Sequence, residues 1–221
     1  MFRNVMIAVF LVCFSTPILA ETITKGFEEQ NALTEWEIDG NVTISAEQKH
    51  SGSNSLLVPA GSSAIFRASM ENKFGSVTMW VYDSCVNNKT TTPGKNWTGP
   101  YFGVMNSDEQ KFVFTPVWRE TLKPDTYSML WTAENKWFNI WPTGVARTTA
   151  GWHKFAFLQP DSNTLKVKID DVESTGVNTK VLAGNLSFFN KGFVGLCLGG
   201  RDDLGLSNET FYYDDIVFDL Q

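Results

Sequence analysis

The sequence predicts an all-β protein, an antiparallel β-sandwich of the jelly-roll kind folded as a single domain. Three observations predict it: no segment has a helical period, short stretches of alternating apolar and polar residues recur, and clusters of Gly, Pro, Asn, Asp and Ser separate them. Ten short strands with no helix between them are typical of a sandwich or jelly roll. The predicted strands are residues 42–46, 55–59, 76–83, 101–105, 111–117, 126–132, 154–158, 164–169, 193–198 and 211–218.

The first twenty residues have the pattern of a signal peptide. Arg3 supplies the positive charge, residues 5–14 the apolar segment, and Ala20 the small residue of a cleavage site. The apolar segment is too short to span a bilayer. The remaining length fits one sandwich domain. We therefore expect a signal peptide at residues 1–20, one β-sandwich domain at 21–221, and secretion to an extracellular or periplasmic location.

The charge balance argues against two classes of partner. The full chain has 18 basic and 24 acidic residues, and loss of Arg3 with the leader leaves a net charge of −7. An acidic protein is repelled by phosphate backbones and by anionic lipids. We therefore expect no nucleic-acid partner and no membrane insertion, and anionic polysaccharides are disfavoured unless a local basic patch attracts them.

Two cysteines remain after the leader is removed. Export makes a disulfide between Cys85 and Cys197 possible if the sandwich brings their strands together. The alternative is two buried free thiols, which behave as small hydrophobic residues. The sequence leaves both open.

Alternation assigns the two faces of the strand predicted at 76–83. Val77 and Val81 lie on one face, which suits the core of a sandwich, whereas Trp80 and Tyr82 lie on the other. This strand should therefore place two aromatic side chains on a face that does not point into the core.

Three motifs near the ends of the chain resemble the frame of jelly-roll carbohydrate-binding modules. They are GFE ending at Glu28, HSGSNSL at residues 50–56 and YYDDIVF at residues 212–218. In that family the first and last strands come together around a structural calcium ion, held by an early Glu, a late Asp and carbonyl groups of the Ser-Gly loop. The metal ligands that the resemblance implies here are Glu28, one of Asp214 and Asp215, and carbonyls within residues 51–54.

The calcium prediction has a chemical rationale and an alternative. Calcium takes six to eight oxygen ligands in flexible geometry. Alternation places Asp214 on the same face as Ile216 and Phe218, and a carboxylate directed at a core needs a cation or a donor to neutralise it. The alternative is that Glu28 and Asp214 are capped by backbone N–H groups or by a nearby Lys or Arg.

The middle of the chain carries a second resemblance. The motif RTTAGWHKFAF at residues 147–157, followed by VKIDD at 167–171, is similar to the central strands of concanavalin A-like lectin and glucanase domains, including laminin-G-like ones. In those domains these strands are mostly structural. The resemblance implies a concanavalin A-like fold, and that fold hosts lectins, glycanases and lyases alike.

The catalytic patterns that this fold uses are not recognisable in the sequence. The spacing E-x-D-x-x-E, which places the carboxylates of a retaining glycosidase on one strand, is absent. The pair Asp170 and Asp171 reads as turn residues. His153 could serve a ligand groove or act as a base, and the alternative is a His at a strand end whose partners are local. We expect no catalytic residue, and leave the question of an enzyme open.

The eight Trp residues favour a binding function, because a Trp ring stacks on the apolar face of a sugar and offers one N–H donor. Trp36 and Trp152 are expected in the core. The predicted function is a secreted, non-catalytic, lectin-like protein that recognises a polysaccharide or glycan by aromatic stacking. The alternatives are a glycoside hydrolase or polysaccharide lyase on the same fold, and an adhesion or structural protein that binds other proteins. The candidate ligand-binding residues are Trp80, Tyr82, Trp97, Trp118, Arg119 and Trp131.

Overall fold

The computed structural model describes seven segments of the chain, which form strands and turns without a helix. Within them, therefore, no helix is long and apolar enough to cross a membrane. The described residues are 20–85, 101–115, 126–133, 136–162, 164–174, 191–199 and 210–221.

The described residues contain fifteen strands. They are β1 (Glu21–Lys25), β2 (Trp36–Asp39), β3 (Thr43–Ser45), β4 (Ser55–Val58), β5 (Ser63–Arg67), β6 (Gly75–Asp83), β7 (Phe102–Met105), β8 (Lys111–Thr115), β9 (Thr126–Ala133), β10 (Lys136–Ala146), β11 (Gly151–Asp161), β12 (Thr164–Ile169), β13 (Val172–Glu173), β14 (Gly195–Gly199) and β15 (Phe211–Leu220).

The strands form two antiparallel sheets. Sheet A has eight strands in the order β13-β12-β11-β6-β15-β4-β3, and β1 also pairs with β15. Sheet B has seven strands in the order β10-β9-β8-β7-β14-β5-β2. Two packed antiparallel sheets confirm the predicted all-β sandwich.

Alternation along β6 separates the core from the outer face as the sequence predicts. Val77, Met79 and Val81 are fully buried between the sheets, whereas Trp80 and Tyr82 are partly exposed on the outer face of sheet A. The side chains of a strand point to opposite faces in turn, so this one strand both fills the core and supplies aromatic surface.

Phe155 of β11 joins the two sheets at the centre of the core. Its ring centroid lies 4.8 Å from that of Phe102, 4.8 Å from that of Phe114 and 5.2 Å from that of Tyr127. These partners belong to β7, β8 and β9 of sheet B. The contacts are edge-to-face, the arrangement that aromatic quadrupoles favour.

A buried ion pair also joins the sheets. Arg147 donates from Nε and Nη2 to the two carboxylate oxygens of Asp83, both at 2.6 Å, and the two side chains are 1% and 0% exposed. The hydroxyl of Tyr127 donates to Asp83 at 3.0 Å. Burial, together with the charge of Asp83, raises the pKa of Tyr127, so this hydroxyl stays a donor. A buried carboxylate is thus neutralised by a bidentate guanidinium.

The last strand has two partners along one edge. Residues Phe211 to Tyr213 pair with β4, and Ile216 to Leu220 pair with β1. Between these stretches the register with β6 shifts, and Asp215 has a φ of 45°. This β-bulge corrects the predicted face of Asp214, which lies opposite Trp80 on the outer side of sheet A instead of sharing the inward face of Ile216.

No disulfide joins Cys85 to Cys197 in the structure. The Sγ of Cys85, just after β6, donates to the carbonyl of Thr149 at 2.8 Å. Cys197 lies in β14 of sheet B, where burial raises the pKa of its thiol. Cys197 is buried, as the thiol alternative expects, whereas Cys85 is only half-buried.

Candidate functional site

An aromatic surface lies on the outer face of sheet A. Trp152 of β11 pairs with Tyr82 of β6, and Tyr82 pairs in turn with Tyr212 of β15, so the three side chains form a row across three strands. Trp80 lies next to this row on β6, and His50 reaches it from the loop after β3. We call these five residues the aromatic patch.

The rings of the aromatic patch are in continuous contact. His50 stacks on Trp80 with a centroid separation of 3.8 Å and an interplanar angle of 15°. Trp152 meets His50 edge-on at 5.7 Å and Tyr82 edge-on at 5.7 Å, and Tyr82 meets Tyr212 at 6.0 Å and 90°. The four strand residues are all partly exposed, so the patch is a packed but accessible surface.

The loop that carries His50 is fastened to the bulge of β15. The Oδ2 of Asp214 accepts the backbone N–H groups of His50 and Ser51 at 3.0 and 3.1 Å. Asp215 contacts the Nδ1 of His50 and accepts the hydroxyl of Ser51, both at 2.7 Å. Burial raises the pKa of Asp214 although these N–H groups oppose the shift. The bulge therefore fixes the imidazole over Trp80.

The same loop is capped at its other end by Glu28. Its Oε1 accepts the backbone N–H groups of Ser53 and Asn54, both at 2.9 Å. All three predicted calcium-ligand side chains thus meet one loop, as the resemblance implies. Their oxygens accept N–H and O–H donors there, and the calcium site stays a prediction.

The three carboxylates at this loop would not complete the coordination of a calcium ion on their own. No group of three or more His, Cys, Asp or Glu side chains within the described segments could hold a metal ion. A calcium ion at Glu28, Asp214 or Asp215 would need backbone carbonyls of residues 51–54 to complete its six to eight oxygens.

The rim of the aromatic patch carries charges of both signs. The hydroxyl of Tyr212 donates to Glu47 at 2.6 Å, and burial together with this hydrogen bond raises the pKa of Tyr212 to about 12. On the other side, Lys154 lies opposite Trp80, and its Nζ is 3.7 Å from a carboxylate oxygen of Asp171. The rim is therefore polar, with two carboxylates against one lysine.

His153 has local partners and faces away from the aromatic patch. Its Nδ1 contacts Asp170 at 2.6 Å and its Nε2 contacts the carbonyl of Thr149 at 2.8 Å. Asp170 and Asp171 form the turn after β12 with φ angles of 49° and 64°. The hydrogen-bond partners of His153 are therefore local, as the second alternative for this residue expects.

These contacts predict a pH dependence of stability. Burial alone would lower the pKa of His153, but its hydrogen bonds to Asp170 and Thr149 and the charges of Asp170 and Asp83 raise it above the ordinary value of 6.5. A raised folded-state pKa gives stability that is complete below the unfolded value and is lost as pH rises through the folded value. Urea unfolding from about pH 5 to about pH 9 should show a stability advantage over His153→Gln that shrinks with rising pH. An advantage independent of pH would contradict this.

The structure describes two of the predicted ligand-binding side chains and places both in the patch. Trp80 and Tyr82 share the outer face as predicted. Trp97, Trp118 and Arg119 lie outside the described residues, and Trp131 lies in β9 with a side chain that is not described.

The structure adds three residues to the site that the sequence analysis did not assign to it. Trp152, which was expected in the core, is partly exposed, because it pairs with Tyr82 and therefore shares its outward face. Trp36, by contrast, is buried as expected. Tyr212 and His50 were treated as parts of the calcium motifs, and only pairing across the sheet shows that they face the other aromatic rings.

The described strands place few carboxylates where they could act together. Glu37 and Asp39 lie two residues apart on the edge strand β2, and Glu37 accepts the Nε of Arg67 at 2.8 Å. Next to the aromatic patch, Asp214 and Asp215 hold the loop of His50. These carboxylates have structural partners.

Comparison with known proteins supports the fold and leaves the function open. No family model and no curated protein matches the sequence. Among solved structures, the chain is similar to the cellulose induced protein Cip1, with a TM-score of 0.57 and 14% identity over 88% of this chain and 96% of that chain.

Two further similar structures are glycoside hydrolases of Bacteroides ovatus. One is the GH16 protein of the mixed linkage glucan PUL in complex with a G4G4G3G product, with a TM-score of 0.57 and 11% identity over 91% of this chain and 99% of that chain. The other is a family 16 endo-glucanase in complex with G4G3G-2F-DNP, with a TM-score of 0.55 and 12% identity over 89% and 98%. At such identities the likeness establishes architecture alone. The chain therefore shares the antiparallel β-sandwich architecture of these structures.

Proposed function

We propose that this protein is a secreted carbohydrate-binding protein that recognises a glycan through the aromatic patch and carries out no chemistry there. The observation that carries the proposal is the row of partly exposed aromatic side chains across β11, β6 and β15. Aromatic rings bring a large apolar contact area and a polar group to the same surface, which suits the mixed character of a sugar.

The surroundings of the patch support binding. Glu47 and Lys154 at its rim, and the Nε2 of His50 within the patch, can exchange hydrogen bonds with hydroxyl groups. A few polar groups around an apolar surface fix the orientation of a ligand and give specificity. The two similar hydrolase structures, in complex with a G4G4G3G product and with G4G3G-2F-DNP, have the same sandwich architecture, which supports a carbohydrate as the partner.

A non-catalytic site fits the carboxylates near the patch. Hydrolysis with retention needs two carboxyl groups about 5–5.5 Å apart that can reach the sugar. Asp214 is 2% exposed and accepts three backbone N–H groups, and Asp215 is occupied by His50 and Ser51. Release of reducing ends from a bound polysaccharide would show that the hydrolase alternative is correct.

Replacing Trp152 by alanine should weaken glycan binding by about tenfold or more, since buried aromatic anchors at binding surfaces are worth about 2 kcal/mol or more. Trp152 contacts both His50 and Tyr82, so its loss opens the middle of the patch. The measurement is a glycan array followed by titration calorimetry with residues 21–221.

The matched control is Met70→Ala, which removes an apolar side chain that is 90% exposed outside the patch and should leave affinity unchanged. An array on which intact protein binds no glycan would overturn the proposal and favour the adhesion alternative. Equal affinity of Trp152→Ala and wild type would show that the glycan binds elsewhere.

Structural calcium at Glu28 and Asp214 or Asp215 is a separate proposal, supported by the resemblance and by the meeting of these residues at one loop. Its effect would be to raise Tm, because a ligand that binds only the folded state stabilises it. The expected result is a lower Tm in EDTA than in calcium. Identical melting curves would show that the N–H donors alone neutralise these carboxylates.

A further inference from the structure

We infer that the aromatic patch takes one soluble chain of a neutral glycan and does not adhere to the flat face of a crystalline polysaccharide. The inference rests on the proposed function and names its ligand class. It follows from the relative orientation of the rings, from the contact that covers Trp80 and from the charge balance at the rim.

The first step is the orientation of the rings. A flat crystalline surface contacts several aromatic rings at once only if their faces are coplanar. In the patch, Tyr82 is inclined by 72° to Trp152 and by 90° to Tyr212. A flat ligand can therefore lie against the face of one of these rings, while its neighbours meet it with their edges. The three rings therefore do not present one flat platform.

The second step concerns Trp80, because the imidazole of His50 covers the face of the indole on which a sugar could stack. The imidazole of His50 lies parallel to the indole at 3.8 Å, which is contact distance for stacking. Four contacts to Asp214 and Asp215 hold the loop at His50 and Ser51. Trp80 is therefore a positioning residue for His50, and the sugar is left with Trp152, Tyr82 and Tyr212.

The third step is the size of this remaining surface. Trp152, Tyr82 and Tyr212 lie on three adjacent strands, and strands are spaced by about 4.8 Å, so the row is about 10 Å long. That length corresponds to a few linked sugar units of one chain. It is too narrow and too uneven to match a sheet of parallel chains.

The fourth step is charge. Lys154 has Asp171 at 3.7 Å, the carboxylate of Glu47 accepts the hydroxyl of Tyr212, and Asp215 contacts His50. These side chains comprise three carboxylates and one lysine, so the rim repels anions, and the chain as a whole is acidic. The charge of the rim therefore disfavours a polyanion and does not oppose a neutral chain.

The test compares soluble and crystalline ligands on the same protein. Affinity electrophoresis is run in gels that contain soluble β-glucan, arabinan, galactomannan or the polyanion polygalacturonate, and pull-down is run on crystalline cellulose and crystalline chitin. The expected result is retardation by at least one neutral soluble polysaccharide, with both powders leaving the protein in the supernatant. Trp152→Ala should reduce retardation at least about tenfold, and Met70→Ala should not.

The opposing outcomes separate this inference from the proposed function. Depletion on a crystalline powder that is lost in Trp152→Ala would overturn the inference and leave the proposed function standing. If polygalacturonate were the only polysaccharide that retarded the protein, and salt weakened the retardation, the assignment of a neutral ligand would be wrong. Failure to bind every soluble and crystalline ligand would overturn the inference together with the proposed function.

The role of Trp80 has its own readout. Trp80→Ala and His50→Ala should weaken binding to a similar degree, because the first removes the ring on which the imidazole stacks and the second removes the imidazole, and combining them should add little. His50→Phe, which keeps a flat ring on Trp80, should recover most of the affinity. Additive losses would show that Trp80 contacts the sugar directly.

Discussion

Replacing Arg147 by alanine should lower the free energy of unfolding by about 3–5 kcal/mol. The substitution leaves the carboxylate of Asp83 at 0% exposure with its charged partner removed. A buried charge without a counter-charge is far more costly than the loss of a surface ion pair. Because Asp83 belongs to β6 of sheet A and Arg147 directly follows β10 of sheet B, the substitution also removes a contact between the sheets.

The measurement is urea unfolding, with Arg67→Ala as the matched control. Arg67 also forms two ion pairs, with Glu37 and Glu109 at 2.8 Å, but its side chain is 31% exposed. Pairs of that kind contribute about 0–1 kcal/mol. If the two variants lost the same stability, the ion pair of Asp83 would not be the buried link that the structure describes.

Replacing Phe155 by alanine should also lower the free energy of unfolding by about 3–5 kcal/mol. Its ring is 0% exposed and contacts one aromatic ring from each of β7, β8 and β9. The cavity that forms is bounded by both sheets and cannot collapse without moving a whole strand. Thermal and urea unfolding would both report the loss.

Ile38→Ala is the control for this second substitution. It deletes apolar atoms from the edge strand β2 at a side chain that is 39% exposed, so its effect should stay below about 1 kcal/mol. A loss for Phe155→Ala as small as that of Ile38→Ala would mean that the centre of the core repacks around the missing ring.

The strand content could be predicted well where alternation and turns were both clear. Each of the ten predicted strands overlaps one in the structure, and the overlaps at 164–169 and 111–115 are complete or nearly so. The sequence analysis missed β10, because its run of aromatic residues lacks alternation and Pro142 argues against a strand. β10 lies at the edge of sheet B, where a Pro is tolerated.

The site could be predicted only in part. Alternation along β6 identified Trp80 and Tyr82, and the same reasoning applied to β11 would have separated Trp152 from the buried Phe155 and placed it outward. The position of His50 could not be read in this way, since it depends on a β-bulge 164 residues further along the chain. The same bulge turns Asp214 out of the face that strict alternation gave it.

The pairing of one edge of β15 with both β4 and β1 affects how the chain folds. The ten residues of β15 lie between β6 on one side and β4 and β1 on the other. The pairing with β1 places Leu220 opposite Glu21. Until β15 has left the ribosome, sheet A lacks the strand that joins its two halves. Sheet A therefore closes only through contacts between strands that are far apart in the sequence, and such long-range pairing makes folding slow.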